Sequence, residues 1–470
     1  MKVGSVNISS IPKVSLRIDP SSYLCEGEEV RTLLQKSPYL LKTVSDFAED
    51  IFLGNIFSRC FVKDEEHGIV YISPSDTVKA DIETGKFLSK KQALSLSSLM
   101  LKNDWILVTC SGTLGLVTYT NNTFNNKIAT HDLIRIIPCD SKFKKGCLYA
   151  FLASKFGYYQ LTQSRFGGVV KHINDKQTGE VVVPLFPISF QTEIDSLITE
   201  SAKLREEATN ILKMTDSLLK RTAGLKDLST DDYDYYGPRN ANRKVSCFSR
   251  NIHDIGTTTI NAFNHSERIR KLKNSIICQT IHLKDALKDG RTFGTIGLPN
   301  IEVKPGHGIM LINQKDMFDN IVKGKWISSK GSDPTNVVEY GEILIASDGT
   351  LGENELFCKA VFANEDLKGS YVSSHFLRLK VNETLPAGYL YCWLNSDYGF
   401  RLIRNTQAGT KLCHPINKLF LEIPVPIIDS DSIMQIDKLV REAHTKRHQA
   451  NQMELKAIRM VEEEIEKWNN

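Results

Sequence analysis

Trp105-Ile106-Leu107-Val108-Thr109-Cys110-Ser111-Gly112-Thr113-Leu114-Gly115 returns later in the chain as Glu342-Ile343-Leu344-Ile345-Ala346-Ser347-Asp348-Gly349-Thr350-Leu351-Gly352, at an offset of 237 residues. Each copy is a short apolar run closed by a turn holding two glycines, the pattern of a buried strand entering a tight turn. Other pieces recur around it in the same order. Residues 67–76 are answered by 307–316 and residues 149–154 by 391–396, at offsets of 240 and 242. Both halves then pass a Gly and a His (Gly167 and His172; Gly409 and His414) before Val181-Val182-Val183-Pro184 and Leu421-Glu422-Ile423-Pro424. Matches in one order at nearly one spacing make the chain a tandem duplication of a unit of about 240 residues.

Each unit ends in a long helical pattern. Ile194, Leu197, Ser201, Leu204, Ala208, Ile211, Thr215 and Leu218 follow alternating steps of three and four, and Gly224 stands where a helix C-terminus accepts positive φ. Over residues 190–223 such a helix would span about 50 Å. In the second unit Ile436, Val440, Ala443, Ala450, Met453, Ala457 and Met460 form a less regular stripe, interrupted around Arg447-His448-Gln449. Narrow stripes on long helices predict that the two helices pair with each other. Upstream, residues 105–110 and 343–346 read as strands, and 148–161 and 388–403 as helical. Each unit is therefore expected to be an α/β (α+β) domain followed by a long helix, with divisions at 1–188, 189–224, 225–430 and 431–470.

The chain has 470 residues, 41% of them hydrophobic, enough for buried cores. No apolar run reaches the ~18 residues that span a bilayer, and the first residues lack the apolar core of a signal peptide. Lys+Arg 59 against Asp+Glu 55 leaves +4, which by itself selects no partner. Ten scattered cysteines with no Cys-x-x-Cys read as free thiols, mostly buried, in a reducing cytoplasm.

The glycine turns lack the Lys-Ser/Thr that follows a phosphate-binding loop, and their glycine spacing is not that of a dinucleotide fingerprint. No Gly-x-Ser-x-Gly, no His-Glu-x-x-His and no Asn/Asp-Pro-Pro-aromatic tetrapeptide is present, and no acidic cluster suits metal-dependent cleavage. His131, His172, His375 and His414 are isolated in sequence. No catalytic and no metal-ligating residue is assigned. What does recur is basic residues near aromatics and hydroxyls. Arg165, Lys171 and His172 parallel Arg404, Lys411 and His414; Arg59, Lys90 and Lys91 parallel Arg291 and Lys325; Ser111 and Thr113 parallel Thr350. Cations and hydroxyls of this kind neutralise phosphates and read base edges, so this set is the candidate DNA interface.

The chain resembles the specificity (S) subunit of Type I restriction-modification systems. The resemblance rests on Arg17-Ile18-Asp19-Pro20-Ser21-Ser22-Tyr23, the paired Ser/Asp-Gly-Thr-Leu-Gly turns, the Val/Ile-Pro exits into Gln191-x-x-Ile194 and Gln435-Ile436, and a long helix after each unit. It implies two tandem target recognition domains separated by two long antiparallel coiled-coil helices. Each domain would read one half of a bipartite asymmetric target. The helices would set the spacer and dock two methyltransferase (M) subunits, with Ile194, Leu197, Leu204, Ile211, Ile436, Val440 and Met453 as docking positions. Adenine-N6 methylation from S-adenosylmethionine, and any cleavage driven by ATP and Mg by restriction (R) subunits, would belong to partners of a non-catalytic, cytoplasmic chain serving phage defence. A coiled-coil scaffold or inactive relative is the alternative, and a standalone restriction-class enzyme a more distant one. Two departures from the pattern stand out. The second unit opens on Asp231-Asp232-Tyr233-Asp234-Tyr235-Tyr236-Gly237-Pro238, and it carries an extra stretch over 258–273.

Overall fold

The computed structural model describes residues 25–163, 171–229, 232, 248–256, 258–299, 301–352 and 354–469. The opening Arg17 to Tyr23 motif lies outside them. The chain forms two compact units, Met1–Glu206 with Gln449–Asn470, and Glu207–His448. These divisions run through both long helices, so each unit owns a stretch of each helix, a partition that differs from the domain-then-helix reading.

In unit 1 a four-stranded sheet runs in the order Ala48–Leu53, Leu133–Pro138, Ile106–Thr109, Val117–Tyr119, all neighbours antiparallel. Every residue of Ile106–Thr109 is buried, which explains its continuous apolar run rather than an alternating one. A second sheet orders Phe61–Val62, Phe87–Ser89, Gly68–Ile72 and Ile128–Ala129. Unit 2 repeats the plan: Ile343–Ala346 lies between Ala360–Phe362 and Phe376–Leu379, and Ile309–Ile312 lies between Lys325–Ile327 and Tyr371–Val372. The helical stretches are in each case two helices, Lys145–Ala153 with Lys155–Gln163 and Ala387–Asn395 with Asp397–Asn405. The break falls at Ser154 and Ser396, whose hydroxyls each accept from the backbone N–H of a glycine three residues on.

The stretch over 258–273 is not simply an insertion. It leads into the helix Glu267–Asn274, which packs on Asp397–Asn405 just as Glu26–Leu34 packs on Lys155–Gln163 in unit 1. The duplication therefore begins before the first matching sequence.

The long helices span Ile188–Thr222 and Ser430–Glu466. The first ends as expected: Gly224 has φ +64, and the Leu225 N–H donates to the Lys220 carbonyl, a Schellman closure. The second shows no interruption at Arg447-His448-Gln449. None of these residues breaks a helix, and the sequence irregularity is a polar stretch with partners: Lys446 pairs with Glu207 and His448 with Asp366. Its buried stripe continues through Glu454, Ala457, Val461 and Ile465 rather than Met453 and Met460.

Both units use one contact to seat domain on helix. In unit 1 the Gly146 N–H donates to Asp195 Oδ1 at 2.7 Å, and in unit 2 the Gly388 N–H donates to Asp437 Oδ1 at 2.7 Å. A Cβ at either glycine would fall inside 3.0 Å of that aspartate, so the approach requires glycine. A second matched pair follows: Asn121 donates to the Ala202 carbonyl and Asn364 to the His444 carbonyl.

The two stretches of helix also pair within each unit. In unit 1, Ile194 and Ile198 share an apolar cluster with Ala457, Val461 and Ile465. There the Ser201 hydroxyl donates to the Ala450 carbonyl at 2.8 Å, and Arg205 reaches Asn451 and Glu454. In unit 2, Leu219 and Ala223 join Ile436 and Val440 in one core. The pairing is antiparallel. Ile194, Leu204, Ile436 and Val440 are buried in it and offer no surface to a partner subunit, a correction to their docking role; Leu197, Ile211 and Met453 are half-buried. Among the described residues no helix is long and apolar enough to cross a membrane, and none of the nine described cysteines is bonded to another.

Candidate nucleic-acid interface

The Gly-Thr-Leu-Gly turns leave the central buried strand of each unit. In unit 1 the turn opens with Ser111, whose backbone bridges His172, and Ser111 Oγ lies 2.8 Å from His172 Nδ1. Gly112 and Gly115 both have positive φ, +71 and +74. Nothing would meet a Cβ at Gly112, so that glycine is demanded by backbone conformation rather than crowding. Thr113 is exposed at the tip. Below the turn the Cys110 N–H donates to the Asp132 carbonyl. The Asp132 carboxylate accepts from the Thr130 hydroxyl and faces Arg59 at 3.7 Å, while Arg59 Nε donates to Tyr71 Oη at 2.6 Å. Burial raises the Cys110 thiol to about 11, which keeps it protonated and unreactive.

In unit 2 the same four letters fold differently. Gly349 and Gly352 have ordinary φ; Gly349 exchanges backbone hydrogen bonds with Cys413, and the Gln314 amide donates to the Asp348 carbonyl at 2.6 Å. Asp348 stands where unit 1 has Ser111. Its carboxylate takes the Nδ1 of His375 on one oxygen and the Nδ1 of His414 on the other. The carboxylate is 14% exposed, the two imidazoles 57% and 55%. The rings therefore cover the charge and form the surface, with Thr350 and Lys411 exposed beside them in sequence.

The expected set thus divides. Ser111, Thr113 and His172, with Lys171 adjacent, gather at the unit 1 turn, and Thr350, Lys411 and His414 at or beside the unit 2 turn. Arg59 is tied to the first turn through Asp132. Lys90, Lys91, Arg291 and Lys325 are exposed on other elements, and no hydrogen bond or ion pair among the described residues joins them to a turn. Lys90 donates to the Glu66 carbonyl, Arg291 lies 3.6 Å from Asp289 and over the Phe293 ring, and Lys325 lies 3.6 Å from Glu302. Arg165 falls outside the described residues. Arg404 is corrected: it is fully buried, its guanidinium donates to the carbonyls of Gly352, Glu355 and Phe357, and it fixes the segment after the turn from beneath. A side chain so engaged does not reach DNA.

Asp348, His375, Gln314, Asp132 and Tyr71 were not among the expected contacts. His375 reads as isolated in the sequence because 27 residues separate it from Asp348, and strand pairing of Ile343–Ala346 with Phe376–Leu379 brings them together. The one sequence signal was the Ser-to-Asp difference between the two turns. Among the described residues no group of three or more His, Cys, Asp or Glu could hold a metal ion.

Residues 42–213 match the family model described as the Type I restriction modification DNA specificity domain. That stretch is similar to the family, over less than half of the chain. The match takes in the unit 1 sheets, its glycine turn and most of the first long helix, and over these residues the sequence resemblance is borne out. No curated protein matches the chain. Among solved structures, the S subunit of the Type I restriction-modification system of M. genitalium is 13% identical, with TM-score 0.34, over 92% of this chain and 96% of that one. The HsdS subunit of Thermoanaerobacter tengcongensis is 11% identical, with TM-score 0.27, over 92% and 96%. A chain from a structure of complex assembly and conformational transition in a type I R-M system is 12% identical, with TM-score 0.28, over 92% and 98%. The likeness to the family rests on residues 42–213 and not on these structures.

Proposed function

We propose that the whole chain is a non-catalytic specificity subunit whose two units each read one half of a bipartite, asymmetric DNA sequence. The observation that carries this reading is the duplication. Three strands of each sheet of the unit 1 specificity domain recur in unit 2, and the side chains at the matching turn differ, Ser111 with His172 against Asp348 with His375 and His414. One scaffold with two polar surfaces suits two different half-sites, since base readout follows the donors and acceptors presented to the groove. The paired helices set the interval between half-sites and dock methyltransferase subunits through their exposed faces. S-adenosylmethionine, ATP and Mg act in partner subunits.

Selection of the full chain against random duplex DNA, repeated at several salt concentrations, should return two short half-sites at a fixed interval. Salt must vary because phosphate contacts alone give binding without sequence preference. Inserting four residues into both long helices should lengthen the interval. Binding without sequence preference at every salt concentration would overturn the reading, and so would methyl transfer or cleavage by the purified chain alone.

A further inference from the structure

We infer that His375 and His414 are a paired base reader, held in one tautomer by Asp348, that selects an exocyclic amino group in the half-site read by unit 2. This rests on the DNA-reading function proposed above and gives one turn its chemistry.

The reasoning starts from the carboxylate. An ionised Asp only accepts hydrogen bonds, so each imidazole facing it must carry its proton on Nδ1. Both rings present Nδ1 to Asp348, one to each oxygen. That leaves Nε2, on the far side of each ring, as the atom facing outward. Each ring is more than half exposed, and among the described residues Nε2 of neither has a partner. In the uncharged ring Nε2 is a lone-pair acceptor. Two such acceptors side by side complement the amino groups of adenine N6 or cytosine N4, the donors that the major groove displays.

The placement supports use rather than scaffolding. Asp348 is anchored by Gln314 through its backbone, so the carboxylate is a fixed post rather than a mobile side chain. A bare carboxylate at a DNA-facing turn would repel phosphates; here two imidazoles screen it and take the surface. Unit 1 supplies the contrast. Its turn has the neutral Ser111 in that place, with one His on it, and Asp132 beneath faces Arg59 at 3.7 Å and a single imidazole, His131, at 3.5 Å. Among the described residues only unit 2 therefore presents a pair of rings on one acid. Asp348 acts as the positioning residue and the two histidines as the contacts.

The test compares base preferences of the full chain and its variants His375→Ala, His414→Ala and Asp348→Asn by selection from random duplex DNA. In one half-site, preference for adenine or cytosine at one or two adjacent positions should fall about tenfold in each His variant. The other half-site and the salt dependence should stay unchanged. Asp348→Asn should blur the same positions, because an amide can donate as well as accept and frees the tautomers. A thermal melt of each variant separates lost folding from lost reading; His375→Gln, which keeps an acceptor at the tip, covers the case in which alanine unfolds the turn and should retain part of the preference. If folded His variants keep the wild-type preference at both half-sites, or lose affinity evenly for all sequences, the inference fails while the bipartite reading stands. If the wild-type chain selects no sequence, both fall.

Discussion

Arg378 in unit 2 and Arg135 in unit 1 occupy the same place in their sheets, on the strands that pair with Ile343–Ala346 and Ile106–Thr109, and both are fully buried. Their charges are handled differently. Arg378 makes a two-pronged bond to the Glu342 carboxylate, at 2.9 and 2.8 Å, and also donates to the carbonyls of Thr335 and Val337. In unit 1 the residue matching Glu342 is Trp105, packed edge-on against Phe52. Arg135 there donates to the carbonyls of Leu133, Ala129, Thr130 and Leu99, and burial lowers it to about 10. An arginine on carbonyls and the Phe52 ring holds several loop ends in place without an anion, and it retains most of its desolvation cost. The same fold thus tolerates two ways of spending a buried cation's donors, and the difference can be tested by removing one partner.

Glu342→Ala leaves Arg378 buried without its counter-charge and should destabilise unit 2 by about 3–5 kcal/mol, the range for breaking a buried pair. Trp105→Ala in unit 1 removes an aromatic but no charge, so its loss should come from packing alone. Denaturant titration followed by amide exchange assigns each loss to its unit. If Glu342→Ala costs under about 1 kcal/mol, the two arginines are solvated alike and the contrast disappears.

The glycine–aspartate seats make the opposite claim, that the units agree. Gly146→Ala and Gly388→Ala should each cost about 1–3 kcal/mol, because the added methyl meets Asp195 or Asp437 within 3.0 Å. Unequal losses would show that only one domain depends on this approach to its helix.

A third site separates the units by pH. Ala202 in unit 1 and His444 in unit 2 each accept from an asparagine, yet His444 packs against Phe362 and Tyr391. Burial first, and Arg447 second, hold its imidazole well below the ordinary range. Below the ordinary imidazole value, near 6.5, the unfolded chain binds a proton that the folded chain refuses. Stability is therefore present above that range and lost as pH falls, with a slope of up to about 1.4 kcal/mol per pH unit. His444→Phe should remove this slope from unit 2 and leave unit 1 as it was; melting curves between about pH 7 and pH 5 read the effect.

The sequence carried the parts of the fold that repeat and little of what joins them. The strand-and-turn motif and the helix stripes were legible because burial imposes a period on apolar residues. Gly224 was legible because a chain reversal needs positive φ. Gly146 and Gly388 were not, since each is one glycine on a helix until Asp195 or Asp437, 49 residues away, comes beneath it. The polar stretch at Arg447-His448-Gln449 suggested a break because a heptad rule counts only apolar residues; Asp366, which pairs with His448, was invisible to it. Arg404 looked like a surface cation for the same reason: composition cannot tell a guanidinium in water from one engaged by three carbonyls.

The smallest effect belongs to the exposed cations, and here the units should differ again. Lys91 is exposed and has no partner among the described residues, whereas Lys325, an exposed lysine of unit 2 in the same expected set, lies 3.6 Å from Glu302. A lysine that contacts phosphate releases counterions, and losing it lowers the slope of log K against log salt by about 1. A lysine already offset by a carboxylate attracts fewer counterions to begin with, so its loss changes the slope less. Lys91→Ala should weaken binding evenly across DNA sequences and flatten the salt dependence by about 1, with stability unchanged within about 0.5 kcal/mol. Lys325→Ala should flatten it by clearly less, and Glu302→Gln should steepen it by freeing the lysine. Equal slopes for all three would mean that neither lysine faces the phosphates, and the DNA-facing surface would contract to the two turns.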